Sequence, residues 1–152
     1  MVSTRRSATL ALALVFALLG ALLAATAVSG AAANTVELHT DLNGAEEAPN
    51  PGDPDGSGEA TLKLVPQLGL VCYVLYVNGI APATAAHIHV GEFGVAGPVV
   101  VTLKAPTRGA SAGCTTVSPS LVQDIAENPT AYYVNVHNAG FPGGALRGQL
   151  GD

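Results

Sequence analysis

The chain has 152 residues, 49% of them hydrophobic and only 11% charged, with a net charge of −5. Past residue 33 the balance becomes more acidic, at −7 (four basic residues less eleven acids). No cluster of Lys or Arg interrupts it, which argues against a nucleic-acid or anionic-membrane surface.

The first segment reads as a targeting leader. Arg5-Arg6 supplies a positive start, an apolar run from about Ala8 to Val28 follows, and Ala31-Ala32-Ala33 offers small residues for a signal peptidase. Cleavage after Ala33 divides the chain into a signal peptide, 1–33, and one domain, 34–152. The Arg5-Arg6 pair also fits a twin-arginine signal, but ordinary secretion is the expectation. An uncleaved anchor is the competing reading, because the run is nearly long enough to span a bilayer. The small residues at its end favour cleavage, secretion and no stable membrane insertion afterwards.

In the domain, Val36, Leu38 and Leu42 sit at period two and predict a strand. Pro49 to Gly58 is too rich in proline and glycine to hold one. Asp53-x-Asp55-x-Ser57 has the start of calcium-loop spacing, but Leu64 stands where the loop needs glutamate, so a solvated turn is expected. Ala60, Leu62 and Leu64 alternate again, and Pro66 ends that strand. Residues 70–77 are apolar on both faces and predict a central strand, closed by Asn78-Gly79. Pro98 to Leu103 is β-branched and predicts another. Ser118-Pro119 is an N-cap followed by proline at the first helical position, with Leu121, Val122 and Ile125 as the buried side of one short helix. Asn128-Pro129 closes it. Cys72 and Cys114 are an even pair in an exported protein, and a disulfide is favoured over two buried thiols. Neither has a second cysteine at metal-ligand spacing.

Two segments carry the chemistry. In Ala86-His87-Ile88-His89-Val90, alternation puts His87 and His89 on one face and the apolar residues on the other. In Tyr132-Tyr133-Val134-Asn135-Val136-His137, Tyr132, Val134 and Val136 form the apolar face, and Tyr133, Asn135 and His137 the opposite one. If these strands are neighbours, three imidazoles meet, as a metal site or as a hydrogen-bonded polar face. A last strand runs from Ala145 to Leu150. About seven short strands and one short helix predict an all-β protein, an antiparallel Greek-key sandwich or barrel.

Gly44-Ala45-Glu46-Glu47-Ala48-Pro49, the Gly52 to Gly58 loop, Thr84-Ala85-Ala86-His87-Ile88-His89, residues 132–138, and Pro142 to Leu150 with its Arg147-Gly148-Gln149 together carry a likeness. Through them the chain resembles the CHRD (chordin-type) domain family. The resemblance implies an exported single β-domain. The function expected of the chain is a non-catalytic extracellular binding or structural module, with an unknown extracellular partner or a metal ion as its ligand.

A weaker resemblance is to the copper-ligand strands of copper-zinc superoxide dismutases. His87-x-His89 followed by Glu92-Phe93-Gly94 is similar to one such strand, with two extra residues at the join, and Val134 to Asn138 is similar to the strand bringing a later histidine. Arg147 falls where those enzymes place an anion-guiding arginine. No histidine lies between His89 and His137, so the bridging and zinc ligands are missing. This likeness implies a mononuclear copper site of His87, His89 and His137, in a carrier or a zinc-free dismutase-like enzyme. Copper also heads the affinity order for nitrogen donors, and three imidazoles leave a position open. An Arg147 pair with the Glu92 carboxylate competes with anion guidance. His39, sharing a face with Glu37 and Asp41, is expected on a solvated surface rather than as a fourth ligand. No nucleophile motif such as Gly-x-Ser-x-Gly is present.

Overall fold

The alternating segments become eight strands in the computed structural model, which describes residues 34–151. The leader expected over 1–33 lies outside the described residues. The strands are β1 (Val36–Asn43), β2 (Ser57–Val65), β3 (Leu70–Asn78), β4 (Ala83–Val90), β5 (Val99–Leu103), β6 (Ala110–Thr116), β7 (Tyr132–Asn138) and β8 (Leu146–Gln149). They form one sheet in the order β5-β4-β7-β8-β1-β2-β3-β6, and every pairing is antiparallel. No helix among the described residues is long and apolar enough to cross a membrane.

The sheet curls into a nearly closed barrel around its apolar face. Leu42, Leu62, Leu64, Val71, Leu75, Ile88, Val134, Val136 and Leu146 fill it and are all at most 1% exposed. The ends of the sheet, β5 and β6, meet without a ladder. Side chains bridge the seam: the Lys104 N–H donates to the Tyr73 hydroxyl at 2.7 Å, and the Ser111 hydroxyl donates to the Lys104 carbonyl at 2.7 Å. Gly113 makes room for that tyrosine, since a Cβ there would stand 2.8 Å from its hydroxyl oxygen.

Helix α1 (Pro119–Glu127) buries Val122 and Ile125 against the core. The Ser118 hydroxyl oxygen caps it by accepting from the Leu121 N–H at 3.3 Å.

The sequence leads to seven strands, and β6 is the eighth. Its residues, Ala-Ser-Ala-Gly-Cys-Thr-Thr, are small and lack an apolar alternation. Pairing with β3 makes it a strand, and there Cys72 lies opposite Cys114 and is bonded to it. β3 is paired on both sides, as expected of a central strand. Its outer face is not covered, however, and Tyr76 is 54% exposed.

Candidate metal centre

Three adjacent strands supply the site, and the pleat decides which side chains reach it. On the outer face of β4, β7 and β8, His89 pairs with Tyr133 and Tyr133 with Gln149. The next row is His87, Asn135 and Arg147, and beyond it His137 lies opposite Ala85. An outer barrel face is normally wet. This one is not: His89, Asn135, His137, Arg147 and Gln149 are all buried, with Asn135 1% and Arg147 0% exposed.

The cover is the loop of residues 91–97, which joins β4 to β5. Arg147 donates to the main-chain oxygens of Val95 (2.9 Å) and Glu92 (2.8 Å) and to the Gln149 amide oxygen (2.8 Å). Gln149 donates in turn to the carbonyl of Gly91 at 2.9 Å, and also to Thr130 and Tyr132. The Tyr133 hydroxyl accepts from the Gly97 N–H at 3.0 Å. Gly97 must be glycine, because a Cβ would lie 1.6 Å from the Val90 carbonyl oxygen. The loop thus turns its main-chain oxygens down onto the sheet and leaves Phe93 and Val95 outside, 65% and 52% exposed.

At the edge of this roof, which His89 touches through the Gly97 carbonyl, the three expected histidines come together. One nitrogen from each of His87, His89 and His137 lies within 4.8 Å of the others. Three nitrogens bound tetrahedrally at about 2.0–2.1 Å would stand roughly 3.3 Å apart, a spacing tighter than the 4.8 Å limit within which these three lie.

Their outer partners settle which nitrogens are available. The Nδ1 of His89 is 2.8 Å from the Gly97 carbonyl, and that of His137 is 3.2 Å from the Pro142 carbonyl. A carbonyl only accepts, so both Nδ1 atoms hold the proton and both Nε2 atoms keep the lone pair. The Nε2 of His89 is buried and has no hydrogen-bond partner. The Nε2 of His137 faces the Nδ1 of His87 at 3.1 Å and accepts from it. His87 is the adjustable member: to ligate through Nδ1 it moves its proton to Nε2. Such carbonyl partners are the usual way a ligating histidine is oriented.

Burial lowers the pKa of His87 below its ordinary value, and the other two imidazoles lower it further. Burial also lowers that of His137, opposed by the Pro142 carbonyl and by the Glu47 carboxylate. Both shifts favour the neutral rings a metal needs. His89 stacks on Tyr133 with ring centroids 4.8 Å apart and planes 13° from parallel.

Arg147 departs from both sequence expectations. Its guanidinium sits over the Tyr133 ring, 3.6 Å from the centroid, and its remaining bonds hold the roof. Fully buried, it offers no charge at the surface to guide an anion, and it meets the main-chain oxygen of Glu92 rather than the carboxylate. A motif places an arginine along the chain but not in depth. His39 is exposed on β1, 3.3 Å from the Thr61 hydroxyl, and is not among the clustered histidines. Asp53 accepts from the Asp55 N–H within its own turn.

Glu47 is the residue that sequence reasoning missed. It comes from the loop after β1, and its Oε2 accepts from the Asn135 amide in the middle of the histidine face. The two lie 88 positions apart, so no local pattern links them. The available signal was that both stand in segments carrying the family resemblance.

The family model of the CHRD domain matches residues 38–150. No curated protein and no solved structure matches the chain.

Proposed function

Since the chain belongs to the CHRD-domain family, a small domain of a binding or structural kind, we propose that it is an exported, non-catalytic binding module whose ligand is a metal ion held by His87, His89 and His137. One observation carries this reading. Three imidazole nitrogens lie within 4.8 Å of one another, and two of the rings are held at Nδ1 by backbone carbonyls, which leaves the lone pair on each Nε2. Copper is the first choice among ions, by its rank with nitrogen donors. Export is supported by the leader-like segment, by the disulfide and by the extracellular setting typical of CHRD domains. The reading stops at binding, because the Arg147 guanidinium that an anion-using enzyme would need at the metal is spent on the roof.

The test is metal analysis of the purified protein after loading with copper or zinc and removal of excess, beside a His87→Ala/His89→Ala variant. One equivalent in the wild type and none in the variant is the expected result. No stoichiometric metal in the wild type sinks the reading and leaves the histidines as framework.

A further inference from the structure

The pair Glu46-Glu47 splits on folding. Glu46 turns back to Asn43, whose amide donates to it at 2.7 Å. Glu47 turns to the histidine face. Its Oε1 accepts from the Ala48 N–H at 3.0 Å, and its Oε2 accepts from Asn135, so both oxygens are fixed. Asn135 is the register partner of His87. Gly144 makes way for the carboxylate: a Cβ there would stand 2.0 Å from the Glu47 Oε2. The same loop carries Pro142, whose carbonyl orients His137. Two separate loops therefore meet at the edge of the imidazole cluster and place a half-buried carboxylate there. A cleft of about 220 Å³ lined by Glu47, Pro49, Phe141 and Gly144 opens the carboxylate to solvent.

We infer that Glu47 is the counter-charge of the three-histidine pocket, a positioning residue that acts through Asn135 and through its field, and that it biases the pocket toward divalent over monovalent ions. This rests on the metal-binding reading above. Three neutral imidazoles bring no charge to an ion. A fixed carboxylate several ångströms away interacts with the ion in proportion to the ion's charge. Its contribution to the binding free energy of Zn(II) is therefore twice that to Cu(I). In affinity, the factor for the divalent ion is the square of the factor for the monovalent one. Glu47 is outside the cluster whose nitrogens converge, so it is not assigned as a ligand.

The substitution Glu47→Gln separates charge from shape. Glutamine keeps an oxygen to accept from Asn135 and fits the same space, but it carries no charge and gives up the bond from the Ala48 N–H, a loss that falls equally on both ions. Affinities of the purified protein are measured by chelator competition with Zn(II) alone and with Cu(I) alone, for wild type, Glu47→Gln, Glu47→Asp and Glu46→Gln. The expected loss for Glu47→Gln is on the order of five- to tenfold for Cu(I), and roughly 25- to 100-fold for Zn(II). Glu47→Asp recovers most of the Zn(II) loss, and Glu46→Gln changes neither ion. Equal losses for the two ions would reduce Glu47 to a structural strut and overturn the inference, as would no loss at all. A wild-type protein that binds neither ion defeats the underlying metal reading instead.

Discussion

The barrel has two outer faces that share a wall and little else. Over β1 and β2 the outward residues are Glu37, His39, Asp41, Glu59 and Lys63, most of them in water, as an antiparallel sheet allows on one side. Over β4, β7 and β8 the outward residues are equally polar, but all of them except His87 and Ala85 are buried, those nearest β8 under the 91–97 loop. Strand alternation is the same in both places, and only the covering differs. A histidine on the first face meets solvent and a threonine. On the second, His89 and His137 lose water and have their tautomers fixed by carbonyls, and His87 donates to His137. Depth, rather than residue type, separates a surface from a site.

The largest expected effect comes from removing the covering. Arg147→Met keeps much of the volume but deprives the oxygens of Glu92, Val95 and Gln149 of their donor. A loss of about 3–5 kcal/mol in unfolding free energy, read by urea denaturation, is expected. A loss under about 1 kcal/mol would mean that the loop holds without its anchor and that the contrast between the faces is misdrawn.

The uncovered half is tied differently. The Cys72–Cys114 bond joins β3 to β6 across 42 positions of sequence. The double variant Cys72→Ala/Cys114→Ala is expected to lose about 3–4 kcal/mol in the chain-entropy account. Because the bond lies away from β4 and β7, metal stoichiometry is expected to survive it under native conditions. Loss of the metal site in a still-folded double variant would show that the two halves depend on each other.

Acidification tests the buried histidines against the exposed one. In metal-free protein, His87 and His137 have pKa values below the unfolded value of 6.5. Between the folded and unfolded values the unfolded chain binds more protons. Their contribution is thus whole above pH 6.5 and is lost as pH falls below it toward the folded values. Thermal melts in a chelator should show Tm dropping below pH 6.5, and a His87→Gln/His137→Gln variant should flatten that limb.

The smallest effect belongs to the wet face. His39→Ala is expected to change stability by no more than about 0.5 kcal/mol and to leave metal content untouched, as calorimetry and metal analysis would show. A large loss there would erase the contrast.

Much of this could be read in the sequence because strand alternation is a local property. The faces of β4 and β7 follow from residues two apart, and so does the convergence of His87, His89 and His137 once the strands are neighbours. The helix was legible from Ser118, Pro119 and Asn128 for the same reason. β6 was not, because Ala110 to Thr116 owes its strand to β3 and the seam rather than to its own residues. Arg147 and Glu47 could be seen but not understood. The first depends on a loop folding over it, and the second on two loops far apart in the chain closing together.

Arg147 and Gln149 lie on the last strand in chain order, and β8 fits between β7 and β1, the latter made at the start of the domain. The side chains that hold the 91–97 loop, and the strand that joins the first part of the domain to the last, thus come from the same four residues. A chain cut short before β8 would lose the link between β7 and β1 and the donors that hold the loop in a single step, so the covered face and the barrel wall stand or fall together.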